Sequence, residues 1–154
     1  MRTKQAIVGA FAALMLVAGC GGGLSEEDYQ QEVEGILEPL GTRLQEIGNQ
    51  QVDPNSLDDV AAQLGEADTV LQDGIDDLEG IEPPEDLQAP HDRMIGALET
   101  FEQATADAET AAEDGDAQAI VQDYPAAATE FQAELDETVQ DFQDAGLDVN
   151  APTP

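Results

Sequence analysis

The sequence predicts an all-α protein, an antiparallel up-down bundle of about four amphipathic helices. Apolar residues return every three or four positions in four separate windows, no window sustains the alternation of a strand, and short turn-rich segments carrying helix caps separate the windows.

The first helix is expected to begin at Ser25 in "SEED", a capping-box-like start with acids in its first turn. Tyr29, Val33, Ile36, Leu40, Leu44 and Ile47 form its apolar stripe, which should end near Gly48 and Asn49. Pro39 lies inside, so a kink or break is expected between Gly35 and Pro39. After the connection "NQQVDPNS", Ser56 caps a second helix. Its stripe is Leu57, Val60, Leu64, Ala67, Leu71, Ile75 and Leu78, with Gly80 suited to the stop.

The stretch "IEPPEDLQAPHDRM" reverses the chain through Pro83 and Pro84. A third helix should start between Glu85 and Pro90, because a proline is tolerated in a first turn, where its missing N–H costs little. Leu87, His91, Met94, Leu98, Phe101, Thr105 and Ala108 share one face, and "EDGD" (113–116) ends the helix, with Asp116 as the next cap. The fourth stripe runs through Ala117, Ile120 or Val121, Tyr124, Ala128, Phe131, Leu135, Val139 and Phe142. Pro125 predicts a kink or fresh start within it, and Gly146 its end. The many alanines imply close helix packing and a thin core.

Charge limits the partners. The 154 residues include 4 Lys and Arg against 35 Asp and Glu, a formal net charge of −31. Such a surface repels phosphate backbones, so nucleic acid is excluded as a partner. Only Arg43 and Arg93 lie beyond the first four residues, and no acid precedes Glu26. Like charges three or four apart on a helix repel, and salt screens that repulsion: the Debye length falls from about 10 Å at 0.1 M to about 3 Å at 1 M. Adaptation to high salt is therefore expected, with cations accumulating loosely around the acids.

The N-terminus has its own logic. "MRTK" is basic, and "QAIVGAFAALMLVAG" then runs without charge up to Cys20. Its apolar part is shorter than the roughly 20 residues that span a bilayer, and small residues follow it, which is the layout of a secretory signal peptide. "VAGC", Val17 to Cys20, resembles the lipobox of bacterial lipoproteins. The resemblance implies that the Cys20 thiol receives a diacylglyceryl group and that the signal is cut between Gly19 and Cys20. A single cysteine in an exported chain would otherwise be an exposed, unpaired thiol. Two or more acyl chains give stable attachment at about 0.8 kcal/mol per buried CH2, and Gly21 to Gly23 would form a short swivel.

The expected organisation is a signal peptide over 1–19, a lipid-anchored tether over 20–24, an acidic bundle over 25–146 and a flexible tail over 147–154. The protein is expected to be exported and held by lipid on the outer, extracytoplasmic face of the cell membrane. The "PPEDL…HDRM" stretch is similar to helical lipoproteins of high-GC bacteria, over about 20 residues and in a family with no assigned activity, so the resemblance assigns no site.

Chemical motifs are sparse. His91 is the only histidine, and with Cys20 engaged by lipid a zinc or copper ion would find only His91 and acids such as Asp92. His91, at the helix start, is expected instead to bond a loop carbonyl or the Pro83–Pro84 turn. "DGDAQAIVQD" (114–123) begins like a calcium loop but lacks the alternation, the glycine and the closing Glu of an EF-hand. Ser25 and Ser56 read as caps, and no nucleophile or phosphate-binding motif occurs. The expectation is a monomeric, non-enzymatic interaction or structural module of the envelope, without a cofactor, meeting an envelope protein partner. The alternative is a lipoprotein that binds cations or a small ligand. A two-lobed solute-binding protein is not expected, because one thin bundle lacks the two α/β lobes that such a cleft needs.

Overall fold

A computed structural model describes residues 24–53 and 56–147. Four long helices follow one another: α1 (Glu26–Gly48), α2 (Leu57–Glu79), α3 (Gln88–Glu113) and α4 (Ala117–Asp144), with a single 3-10 turn (Glu85–Leu87) leading into α3. The described residues form no strand, and the all-α bundle stands.

The helix starts follow from the predicted caps. Ser25 Oγ accepts from the Asp28 amide, Ser56 Oγ from the Asp59 amide, and Asp116 from the amides of Gln118 and Ala119. Each bond satisfies an N–H that the first turn would leave free. Pro90 falls in the first turn of α3, as expected, and is buried there. The interior prolines break nothing: α1 is continuous through Pro39 and α4 through Pro125, so no fresh start occurs at either. Both prolines, and Gly35 and Val121 one turn before them, are exposed. Water can therefore take the carbonyls that each missing N–H leaves unbonded.

Gly115 and Gly146 end α3 and α4 with φ of +81° and +98°. At Gly146 the reversal is a Schellman motif: the Leu147 amide donates to the Phe142 carbonyl at 2.9 Å and the Gly146 amide to Gln143 at 3.0 Å. Leu147, assigned by sequence to the tail, consequently turns back and is buried in the core. Residues 148–154, the rest of the expected tail, lie outside the described residues.

The helices alternate in direction. The start of α1, the end of α2, the start of α3 and the end of α4 meet at one end, where Tyr29 hydrogen-bonds His91 and stands 6.2 Å, ring to ring, from Phe142. At the same end the Leu24 amide donates to the Glu82 carbonyl, tying the entering chain to the α2–α3 connection. Each helix packs chiefly on its neighbours in sequence, α2 on α3 most extensively. Buried Leu87, at the end of the 3-10 turn, and buried His91, Met94, Leu98, Thr105, Ala108 and Ala112 of α3 fall on one heptad rhythm, which suits helices crossing at about 20°.

The core centres on α2 and α3. From α2, Val70, Leu71, Ile75 and Leu78 are buried, and Tyr29, Val33, Leu40 and Ile47 of α1 close over them. The α4 stripe sits differently from the other three. Only Thr138 and Phe142 of α4 are buried, Ile120, Tyr124, Ala128, Phe131, Leu135 and Val139 are half-buried, and Val121 is 72% exposed. Ile120 rather than Val121 therefore belongs to the packed face. Phe101 of α3 stacks on Phe131 at 4.5 Å and on Tyr124 at 5.9 Å, which fastens this otherwise shallow seam.

Candidate functional site

Two polar clusters interrupt the apolar interface, and neither resembles the other. The first is Tyr29–His91–Leu78. The Tyr29 hydroxyl lies 2.9 Å from His91 Nδ1, the rings meet edge to face at 5.6 Å, and the imidazole also hydrogen-bonds the Leu78 carbonyl. A carbonyl only accepts, so the ring nitrogen facing Leu78 carries the proton. In the neutral ring Nδ1 then accepts from the Tyr29 hydroxyl. Burial disfavours the charged imidazole and lowers the His91 pKa, opposed by the nearby Asp92 charge and the Leu78 bond. Burial, with the Asp92 charge second, pushes the Tyr29 pKa well above its ordinary value. Both groups are therefore held neutral. His91 bonds a carbonyl, but that of Leu78 within the last turn of α2 rather than one in a loop or in the Pro83–Pro84 turn.

The second cluster lies between α2 and α3. Asp68 faces Glu102 and Glu109, and Gln72 bridges Asp68 and Glu102 with bonds of 2.9 and 3.0 Å. Burial comes first among the causes that raise the Asp68 pKa, followed by the charge of Glu102, the hydrogen bond a protonated Asp68 would give it, and the charge of Glu109. Asp68 Oδ1 is buried with no donor, because two ionised carboxylates can only accept. Replacing Asp68 with Asn removes the repulsion and supplies an N–H for Glu102. Asp68→Asn should stabilise the fold by about 1 kcal/mol, or about 3 °C in melting temperature. The gain should shrink as the pH falls through the raised Asp68 pKa, where the native carboxyl acquires its own proton. A Tm unchanged or lowered by Asp68→Asn at pH 7 would show that the cluster costs nothing.

The remaining predicted residues are dispersed. Asp116 Oδ1 holds the start of α4 at 3.1–3.2 Å, as a cap. Asp73 pairs with Arg43 at 3.8 Å and Asp141 with Arg93, so both arginines of the bundle are engaged within it. Among the described residues no three His, Cys, Asp or Glu side chains come together as a group able to hold a metal ion. Two hollows of about 520 and 190 Å³ are open furrows between α1 and α2. Acids line both, including Glu32, Asp76 and Asp77 in the larger. Cys20 and Gly19, the expected lipidation and cleavage positions, lie outside the described residues. No helix among those residues is long and apolar enough to cross a membrane.

Sequence reading placed His91 on the correct face but missed Tyr29 as its partner. The two are 62 residues apart and each fits its own apolar stripe, so no local signal joins them. Asp68 was also missed, although it sits beside Ala67 on the edge of the α2 stripe. No family model, curated protein or solved structure matches this chain.

Proposed function

We propose that the protein is a lipid-anchored helical bundle of the cell envelope, serving as an interaction or structural module on the extracytoplasmic face, with an acidic surface suited to high salt. The observation that carries this reading is the position of Leu24. It lies four residues after the lipobox-like cysteine and is tied by its amide to Glu82, at the end where all four helices meet. An acylated Cys20 would thus hold the bundle by one end, through a glycine tether reaching about 10 Å. A helix of 23 residues is about 35 Å long, so the α1–α2 connection and the Asp114–Asp116 turn would stand farthest from the lipid. The exposed carboxylates on every helix, with each arginine already paired, favour a role in which the surface is solvated rather than closed around a small ligand.

The test is Cys20→Ser in the full chain. The native chain should sediment with membranes and carry the added mass of a diacylglyceryl group, whereas Cys20→Ser should lose both entirely. Equal sedimentation of both chains, or a native chain without the lipid mass, would overturn the anchored reading.

A further inference from the structure

The Tyr29–His91–Leu78 cluster lies where the four helices converge and where Leu24 is tied to Glu82, so a change there acts on the whole of that end. His91 is 3% exposed, and both of its ring nitrogens are partnered in the neutral state. A second ring proton would sit on Nδ1, facing the Tyr29 hydroxyl. Tyr29 would then have to accept instead of donate, and its own hydrogen would need a new acceptor. Among the described residues its hydroxyl is bonded to His91 alone. Protonation therefore leaves either two opposed donors or an unpaired buried hydroxyl hydrogen, together with a buried cation.

We propose that His91 is a built-in acid release for this end of the bundle: its protonation breaks the Tyr29 bond, frees the start of α1 from α3 and α4, and leaves the far end folded. The groups that face the ring are few. Tyr29 comes from α1 and the Leu78 carbonyl from α2, while Phe142 of α4 packs behind Tyr29 and brings no charge. On α3 itself, Asp92 is the one ionisable group whose charge acts on the ring, and Asp92 is exposed. It moderates the release without supplying a buried counterion. Asp141, on the same turn as Phe142, is paired with Arg93.

The sign follows from linkage. Burial holds the folded His91 pKa below that of the unfolded chain, so the closed end is fully stable above about pH 6.5 and loses stability as the pH falls towards the folded pKa. Ordinary carboxylates titrate near pH 4, and Asp68, with its raised pKa, adds stability as the pH falls, so acidic relief has the opposite sign to the release and is separable. The release asks nothing of Cys20, so it can fail or hold independently of the anchored reading.

The experiment follows the full chain in detergent micelles by NMR between pH 7 and pH 5. His91 ring signals are recorded together with amide exchange, corrected for its intrinsic pH dependence. Protection of Val33, Leu78 and Phe142 should fall about tenfold per pH unit once pH lies between the two pKa values, while Leu64 and Ala108 change little. His91→Gln, whose amide can donate to Leu78 and accept from Tyr29, should abolish that slope. Tyr29→Phe removes the opposed hydroxyl and should move the His91 midpoint upward, which keeps the test decisive if His91→Gln fails to fold. A His91 midpoint at or above 6.5, or equal loss of protection at both ends, would overturn the proposal.

Discussion

Molar salt should raise the melting temperature of the full chain by about 10 °C over dilute buffer. On α4, Glu130, Glu134, Glu137 and Asp141 follow one another at intervals of four and three, and on α2 Asp73 faces Asp76 and Asp77. Each such pair destabilises a helix by about 0.3 kcal/mol at low salt, and the bundle has on the order of ten. Together they amount to about 3 kcal/mol, or about 10 °C for a domain of this size. Only two arginines lie within the bundle, and each is held to one acid of its own, so the protein carries no internal remedy. The measurement is circular dichroism melting in NaCl from 0.05 to 2 M, repeated with sub-millimolar CaCl2. A chain equally stable at both salt limits would remove the case for salt adaptation. Saturable stabilisation by calcium, with the mass-action form of a bound ligand, would instead favour the cation-binding reading.

The second large effect should come from Leu78→Ala. Leu78 is fully buried where α2 ends, among Tyr29, Met94 and Phe142 of the common core, and its carbonyl receives the His91 proton. Loss of its side chain should cost about 3 kcal/mol, since a site walled by four helices cannot collapse to fill the space. Against the usual 5–15 kcal/mol of a small domain, that is a large fraction of the whole. Leu135→Ala, on the half-buried seam of α4, should cost about 1 kcal/mol, in proportion to the smaller area removed from water. Urea midpoints in the same high-salt buffer decide it. Equal losses would mean that the core is not centred on α2 and α3.

The stripes of α1, α2 and α3 could be read from spacing alone because most of their apolar residues are buried against a neighbouring helix. The α4 stripe has the same spacing and reads just as strongly, yet Val121 is exposed and only Thr138 and Phe142 are buried. Periodicity identifies the face that packs. How much of that face is covered depends on which helices lie against it, and spacing along one helix does not report that. Gly146 was legible as a stop, but the burial of Leu147 depends on a chain reversal that hydrophobicity does not report. Of the outcomes the prolines allowed, the break and the fresh start did not occur. A missing N–H predicts a break only where the orphaned carbonyl is shut away from water, and here both lie on solvent-facing sides. The candidate site was legible only in half: a lone histidine is conspicuous in a sequence, whereas its tyrosine is one apolar-face residue among many.

The order in which the helices pack also bears on how quickly the chain can find its fold. α1 lies on α2, α2 on α3 and α3 on α4, with little packing between the first helix and the last. Most native contacts therefore close loops no longer than a helical hairpin, and topologies of that kind fold in microseconds to milliseconds. The exception is the meeting of Tyr29 with His91 and Phe142, which joins distant parts of the chain and must form after the hairpins are in place. The last step of folding and the first step of acid opening would then run through the same three side chains, in opposite directions.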